Sequence, residues 1–356
     1  MRARLVVPAL AGVAAMLAIT AAESPAAPPR SGAQPAQQAA LPPARRVVQR
    51  AATSSGPAAG PSRVTLAAVR AYWTRERMAA ARPAQEPDAG IGPALADGVR
   101  FTRPSALRTY LRTLAPGRAA AQSPGRGAPW TGGGAVVRTT GKVFFSLGAD
   151  DYACSGSSVD SLDRSTVLTA GHCVVDPESG TTATNWVFVP GYVDGRAPYG
   201  IFPATHLATT AGWRTAEDFD VDLAFANVGP NAAGRLLVDA VGGQAIAFGT
   251  ARGQGTFAFG YPAAAPWTGE RLVYCSGVVV QDTTSVPSTD QGMSCTMTPG
   301  SSGGPWFSRF DPRTGRGTLT SLTSFSYSDR PGVLWGPYLG SVAQALFASV
   351  ASTTTA

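Results

Sequence analysis

From about Ala135 onward the sequence is a series of short apolar runs rich in Val, Phe, Thr and Tyr. Gly, Pro, Asn and Asp separate these runs. Strands of this length, with turn residues between them, are typical of antiparallel sandwiches and barrels. We therefore expect residues 128–356 to form an all-β domain that ends in a helix over GSVAQALFASV (340–350). The predicted strands include KVFFSLG (142–148), STVLTAG (165–171), NWVFVPG (185–191), DLAFANV (222–228), QAIAFG (244–249), TFAFGYP (256–262), RLVYCSGVVV (271–280) and LTSLTSF (319–325).

The first 127 residues differ from the rest in charge. They carry 17 Lys and Arg against 5 Asp and Glu, a net charge of +12, whereas residues 128–356 carry 12 against 17, a net charge of −5. A basic front half can indicate nucleic-acid or membrane-surface binding, or a solvated leader that is later removed. We favour the leader, because its arginines are scattered and few aromatic residues lie among them. No nucleic-acid partner is therefore expected.

The N-terminus has the layout of a secretory signal peptide, which we place at residues 1–22. Arg2 and Arg4 supply the positive start, an apolar run covers 5–19, and small residues at 20–22 provide the cleavage site. The apolar run is too short and too rich in Ala for a membrane span. We expect a secreted, extracellular protein with no membrane contact after signal removal.

Residues 23–127 are predicted to be a propeptide and linker, mostly disordered. The first part is rich in Ala, Pro, Gln and Arg, and it cannot bury enough apolar surface to fold. One helix is predicted over 63–82, with Ser62 as its N-cap, and a shorter helix over 105–114. The Pro- and Gly-rich segment 115–134 is predicted to be a linker, and we expect the maturation site in or just after it.

The four cysteines suit an exported protein, and none of them forms a C-x-x-C pair. Three pairings are possible, of which we favour the nearest neighbours, Cys154–Cys173 and Cys275–Cys295. Each bridge would close a loop of about 20 residues, for which chain-entropy arguments give roughly 3 kcal/mol. The spacing disfavours zinc, and no metal or other cofactor is expected.

Two histidines are present in the whole chain, so a histidine-dependent mechanism must use His172 or His206. His172 follows an apolar strand, whereas His206 has no such setting and is interpreted as a surface or core residue. The segment TPGSSGGP (298–305) places glycines around Ser302, so that the backbone can project the hydroxyl and a substrate carbonyl can approach the N–H groups. Because a serine hydroxyl needs an adjacent base, His172 and Ser302 form a candidate pair.

Chain order separates two kinds of serine hydrolase. Gly300-x-Ser302-x-Gly304 also matches the nucleophile elbow of α/β-hydrolases, but in that fold the histidine follows the serine. No histidine follows Ser302, so this alternative fails. With the histidine first and the serine last, the acid should lie between them. Asp222, at the head of an apolar strand, is the best candidate, and Asp220 is the runner-up.

The same motifs resemble those of chymotrypsin-fold serine proteases. TAGHC (169–173) looks like their histidine signature, and GSSGGP (300–305) resembles their G-D-S-G-G-P motif. The aspartate strand DLA (222–224) resembles that of the glutamyl-endopeptidase-like bacterial branch. The stretch from about 140 to 348 is similar to secreted actinobacterial trypsin-like serine peptidases, and AYWT (71–74) is similar to a part of their propeptides.

The resemblance implies two packed six-stranded antiparallel β-barrels, with the active site in the cleft between them. The catalytic residues would be His172 and Asp222 from the first barrel and Ser302 from the second. The N–H groups of Gly300 and Ser302 would form the oxyanion hole. Ser301 stands where many relatives have an Asp that pairs with the new N-terminal amine. Control of the precursor should therefore rest on the prosegment.

The resemblance also places substrate binding at Thr298 and at the strand formed by Ser324, Phe325 and Ser326. The stretch before Ser302 supplies no acid for a basic side chain, and no histidine lies near Ser324 for a glutamate. A neutral or small apolar pocket is expected for the residue at the cleaved bond.

The sequence as a whole predicts a monomeric secreted serine endopeptidase with an acyl-enzyme intermediate. Its expected partners are protein or peptide substrates and its own propeptide. The alternative is a catalytically inactive secreted binding or adhesion protein on a protease fold.

Overall fold

The computed structural model describes residues 65–84, 125–285 and 287–352. All of them belong to one unit of the chain, Pro61–Ala356. The predicted signal peptide, the stretch after it that the sequence predicts to be disordered and the helix predicted at 105–114 lie outside the described residues.

The described residues form six α-helices and sixteen strands. The helices are α1 (Leu66–Tyr72), α2 (Arg75–Ala80), α3 (Ala135–Thr139), α4 (Ala211–Ala216), α5 (Leu237–Val241) and α6 (Ser341–Ala351). The strands before the middle of the chain are β1 (Arg82–Pro83), β2 (Ala128–Pro129), β3 (Thr140–Leu147), β4 (Asp150–Ser158), β5 (Thr166–Thr169), β6 (Thr184–Pro190), β7 (Phe202–Thr209) and β8 (Ala224–Val228). The remaining strands are β9 (Ala245–Ile246), β10 (Gly255–Gly260), β11 (Val273–Val278), β12 (Val280–Gln281), β13 (Gln291–Ser294), β14 (Pro305–Asp311), β15 (Arg316–Leu322) and β16 (Val333–Gly336).

Strands β3 to β8 close into a six-stranded antiparallel barrel. Their order is β4-β3-β6-β7-β8-β5, and pairing of β4 with β5 completes the circle. Val143, Phe144 and Phe145 on β3 are all fully buried, which explains why so apolar a run forms an interior strand. The Cys154–Cys173 disulfide ties β4 to the turn that follows β5.

The second half of the chain forms the second barrel that the resemblance implies, but its described strands lie in two sheets around a second core and do not form one closed six-stranded sheet. One sheet has the order β2-β11-β10-β14-β15-β9, and the other has the order β12-β13-β16. Both supply side chains to one buried cluster, which includes Ala258 and Trp306 from the first sheet and Met293 and Leu334 from the second. The Cys275–Cys295 disulfide joins β11 to the end of β13. The all-β fold class, the C-terminal helix and both disulfide pairings are thus confirmed.

The helix expected over 63–82 is interrupted at Trp73 and Thr74. Thr65 caps α1 by accepting from the Ala68 N–H, and Thr74 caps α2 by accepting from the Arg77 N–H. Trp73 is buried against the first barrel, and this tertiary contact takes precedence over a continuous helix.

The linker expected over 115–134 is ordered in its second part. β2 pairs with β11, and the Gly127 N–H donates to Thr296 Oγ1 at 3.0 Å. No room exists for a side chain at Gly125, because a Cβ there would collide with Ser294 O. Residues from 125 onward therefore belong to the folded domain.

None of the helices in the described part of the chain combines the length and the apolarity needed to cross a bilayer.

Candidate active site

His172 lies in a 3₁₀ turn, Gly171–Cys173, that directly follows β5. The disulfide at Cys173 fixes one side of this turn, and the ring of Trp213 lies 6.1 Å from the imidazole in an edge-to-face arrangement. Gly171 is required here because a Cβ would lie 2.8 Å from Asp222 Oδ1 and 2.7 Å from Trp213. The turn can therefore bring the imidazole directly against the carboxylate.

Asp222 is fully buried and has three hydrogen-bond donors around its carboxylate. His172 Nδ1 lies 2.8 Å from Oδ2, the His172 backbone N–H donates to Oδ1 at 2.9 Å, and Ser324 Oγ donates to Oδ2 at 2.5 Å. A carboxylate only accepts, so Nδ1 carries the proton and Nε2 is left as the basic nitrogen. The sequence singled out Ser324 for substrate binding but did not anticipate its bond to the acid.

Ser302 lies in the tight turn that precedes β14. Its carbonyl oxygen accepts from the Ser155 N–H at 2.8 Å, which anchors the turn to β4 of the first barrel. Gly300 and Gly303 have φ of +98° and +78°, in the region that favours glycine. A Cβ on Gly303 would also collide with Thr169 Oγ1 and Ser155 O, so this close approach of the two barrels requires glycine.

The reactive atoms of His172 and Ser302 lie close to the junction of the two barrels. Ser302 O is 3.9 Å from Sγ of Cys173, the residue that follows the histidine. Within the described residues neither His172 Nε2 nor Ser302 Oγ has a hydrogen-bond partner, although both atoms are buried. Bonds between a catalytic serine and its base are often long in the free enzyme and tighten when substrate binds.

The backbone of the serine turn leaves two donors available. The N–H groups of Ser301 and Gly303 donate to carbonyls within the fold. No backbone carbonyl in the described part of the chain accepts from the Gly300 or Ser302 N–H. An oxyanion placed between these two donors would therefore find them unoccupied.

The residues expected to bind substrate differ in burial and in their hydrogen bonds. Thr298 Oγ1 donates to Ala264 O at 2.8 Å and accepts from Ala264 N, so this hydroxyl holds a neighbouring loop. Ser324 and Phe325 are buried and bond through their N–H groups to Trp335 O, whereas Ser326 is half-buried.

Two alternatives from the sequence can be placed directly. Asp220 turns away from the imidazole and accepts from Ser288 Oγ at 2.8 Å and from the Thr289 N–H at 2.9 Å. His206 is an exposed residue of β7, paired in register with Asn227. The carboxylate that contacts His172 is thus that of Asp222, not that of Asp220.

A cleft of about 730 Å³ opens beside the imidazole. Its walls come from the first barrel and from the end of the segment 65–84. The lining residues include Ala84, Phe145, Leu147, Tyr152, His172, Asp176, Glu178, Thr181 and Trp213.

A closed antiparallel barrel, a buried Asp–His pair and a glycine-rich serine turn at the barrel junction define a serine protease of the chymotrypsin type. Residues 154–311 match the family described as trypsin-like peptidase domain, and the chain belongs to this family. No match was found among the curated proteins.

Two solved bacterial proteases are similar over nearly their whole length. Protease Anisep from Arthrobacter nicotinovorans is 40% identical, with a TM-score of 0.57, and the match covers 62% of this chain and 98% of that one. The thermostable serine protease AL20 from an extremophilic microorganism is 41% identical, with a TM-score of 0.57, and the match covers 62% and 99%. A Glu endopeptidase solved with MPD shares the fold at 18% identity, with a TM-score of 0.52 over 65% of this chain and 98% of that one.

Proposed function

We propose that the chain is a secreted serine endopeptidase in which His172, Asp222 and Ser302 form the catalytic triad. The observation that carries the proposal is the buried Asp222 carboxylate bound to both His172 Nδ1 and the His172 N–H. This pair fixes the imidazole so that Nε2 acts as the base, and the serine turn is anchored across the barrel junction beside it.

In the proposed reaction Ser302 Oγ attacks the scissile carbonyl carbon while His172 Nε2 takes the hydroxyl proton. The carbonyl oxygen becomes an oxyanion held by the Gly300 and Ser302 N–H groups, where the loss of one donor typically costs about 3–4 kcal/mol. His172 then gives the proton to the leaving amine as the C–N bond breaks. Water repeats the sequence on the acyl-enzyme and restores Ser302.

The strand after β15 is the proposed site for the substrate backbone. Phe325 exchanges both of its backbone hydrogen bonds with Trp335, and the Ser324 N–H also donates to Trp335 O, so a substrate chain would pair with the Ser324 carbonyl and with Ser326. Thr298 contributes to this region by holding the loop at Ala264. For the side chain of the residue at the cleaved bond, the proposal is a neutral or small apolar pocket.

We further propose that the chain is a precursor and that residues 65–84 belong to its propeptide. Trp73 is 2% exposed, packs on Phe144 with ring centroids 5.4 Å apart, and donates from Nε1 to Asn185 O. Arg77 pairs with Asp151 at 2.9 Å, so a basic segment meets an acidic strand. These contacts support docking on the first barrel.

The end of this segment points towards the active site. β1 adds to β4 in parallel, with Arg82 opposite Tyr152 and Pro83 opposite Ala153. Ala84 then lines the cleft that also contains His172. The proposal is that the propeptide enters the cleft from this side and is released by cleavage within the expected window of about 115–135, before the folded residues that begin at 125.

Export is proposed from the two disulfides, which persist in oxidising compartments, together with the signal-like N-terminus. Protein or peptide substrates and the propeptide are the proposed partners of a monomeric enzyme.

The test compares the secreted wild type with Ser302→Ala and Ser301→Ala. The Ser301→Ala variant is the matched control, because its hydroxyl belongs to the same turn but donates to Thr298 O. We expect Ser302→Ala to lose peptide hydrolysis and fluorophosphonate labelling, and Ser301→Ala to keep both, with the adduct on Ser302 by mass spectrometry. A folded wild-type domain that is inert to both assays would favour the binding-protein alternative. Residues 65–84 still covalently attached to the active secreted enzyme would refute the propeptide assignment.

A further inference from the structure

A second cavity, of about 280 Å³, lies beside the proposed substrate strand and is strongly acidic. Three segments far apart in the chain form it, which are the loop 217–220, the loop 285–290 and the strand end 325–327. Four carboxylic acids line it, namely Glu217, Asp218, Asp220 and Asp290. The aromatic rings of Phe325 and Tyr327 form much of the remaining wall.

Asp290 is the unusual member of this acidic cavity. Its side chain is 2% exposed, and its Oδ1 has no hydrogen-bond partner among the described residues. The other oxygen has one distant donor, Ser288 Oγ, at 3.3 Å. The neighbouring Asp220 carboxylate is fully engaged by comparison, with donors from Ser288 and Thr289. A buried acceptor without a donor, in a cavity wall, is where a ligand's donor belongs.

The carboxyl groups of the cavity interact with one another. Burial, the charge of Asp220, a side-chain hydrogen bond to Asp220 and the charge of Asp282 raise the pKa of Asp290 to about 9, so this carboxyl is protonated at neutral pH. Burial and Asp220 likewise raise the pKa of Asp218. A bound cation would offset this repulsion. The elements packed around the cavity carry six titratable or charged groups besides Asp290, namely Glu217, Asp218, Asp220, Asp282, Tyr327 and Arg330. At the edge of the cavity, the Arg252 side chain donates to Thr289 O.

A series of aromatic contacts links the wall of this cavity to His172. The rings of Phe219 and Phe325 lie 4.9 Å apart, and Phe219 also contacts Trp213, which in turn contacts His172. Phe325 directly follows Ser324, the donor to Asp222. A substrate chain paired with this strand would therefore pass the aromatic pair and present a side chain at the cavity mouth.

We propose that this cavity selects substrates carrying an arginine or lysine two to four residues before the cleaved bond. The aromatic walls would pack along the aliphatic stem, and Asp290 Oδ1 would accept from the guanidinium or ammonium group, with Asp218 and Asp220 adding charge. This inference rests on the proposed function, since it concerns the substrate of the same site.

A metal ion fits the cavity less well than a side chain does. Among the described residues, the one group of three potential ligands close enough to share an ion is Cys154, His172 and Cys173, whose sulfurs are joined in a disulfide. The four carboxylic acids of the cavity form no such group of three.

The test uses the mature enzyme and quenched fluorescent peptides that differ only by Arg, Lys, Gln or Glu at the second, third or fourth residue before the cleaved bond. We expect kcat/KM for Arg or Lys to exceed that for Gln by roughly tenfold at one of these positions, the scale of a hydrogen bond to a charged group. Asp290→Asn should reduce this preference to about twofold. Asp160→Asn, a charge change at an exposed position, should keep the full preference.

Three results would overturn the proposal. One is equal hydrolysis of the Arg, Lys and Gln peptides by the wild type, and another is a preference that survives in Asp290→Asn. The third is a metal site, seen as calcium raising the melting temperature of the wild type but not of Asp290→Asn, with loss of the Arg preference. Hydrolysis of the Gln peptide that depends on Ser302 would leave the proposed function intact in all three cases. No Ser302-dependent hydrolysis of any peptide would instead refute the proposed function itself.

Discussion

Asp222 and Asp290 are both buried aspartates beside the same proposed substrate path, but their surroundings are opposite. Asp222 is held by two donors from His172 and one from Ser324. Asp290 has an oxygen without a partner and lies among other acids. Burial alone therefore does not define what a carboxylate does. The number of donors separates the acid of the proposed triad from the acid that is proposed to receive a ligand.

The two aspartates also differ in how rigidly their surroundings are held. The donors to Asp222 come from both barrels, since His172 follows β5 and Ser324 follows β15. The carboxylate thus connects the two halves of the site at the point where they must align. The cavity at Asp290 is lined by acids that repel one another, and the proposal is that a basic side chain of the substrate offsets this repulsion.

The largest effect is expected from Asp222→Asn. The carboxylate accepts from His172 through both of its oxygens, whereas an amide has one oxygen and an N–H₂ donor, so the variant favours the wrong imidazole tautomer and kcat should fall by roughly 10⁴-fold. The measurement is steady-state hydrolysis of the best peptide by the purified mature enzyme. Similar losses of kcat on a Gln peptide in Asp222→Asn and Asp290→Asn would contradict the distinction between the two aspartates. Equal melting temperatures for wild type and Asp222→Asn would show that the loss is not due to unfolding.

Ser324→Ala should have a smaller effect, a loss of about tenfold in kcat. Removing a donor to a buried carboxylate costs roughly 1.5–3 kcal/mol. An Asp222 that has lost this donor would hold the imidazolium more strongly, so the acidic limb of the kcat/KM profile should move to higher pH. The pH profile distinguishes this positioning role from simple loss of packing, which would lower the plateau without moving the limb. Ser324→Thr, which retains the hydroxyl, should restore the profile of the wild type.

The local motifs of the site were predictable, whereas its long-range contacts were not. His172 and Ser302 are found in short motifs, and Asp222 follows from chain order. The loops 285–290 and 217–220 are far apart in the chain and meet only in the folded protein, so neither segment alone predicts an acidic cavity.

The secondary structure that escaped prediction has a similar origin. β4, with the sequence DDYACSGSS, consists mainly of small and polar residues, and its pairing with β3 and β5 rather than its own apolarity makes it a strand. The break at Trp73 depends on a pocket in the first barrel that lies more than sixty residues further along the chain. Periodicity within a single segment contains no information about such partners.

The smallest and most specific effect is expected in the pH dependence of the free energy of unfolding. The pKa of Asp290 is about 9 in the folded protein, above the ordinary value of 3.8, so the folded state binds more protons than the unfolded state between these limits. The stabilising contribution of Asp290 is therefore complete below about pH 4 and is lost as the pH rises towards 9. In Asp290→Asn this side chain cannot titrate, so the variant should not show this pH-dependent loss. In the wild type the loss of unfolding free energy is at most about 1.4 kcal/mol per pH unit. Urea unfolding at pH 5, 6.5 and 8 in a Ser302→Ala background, which prevents autolysis, measures this difference. Asp160→Asn should follow the wild type at all three values. Parallel stability curves for Asp290→Asn and wild type would mean that the buried oxygen already has a partner in solution, and the distinction between the two aspartates would then disappear.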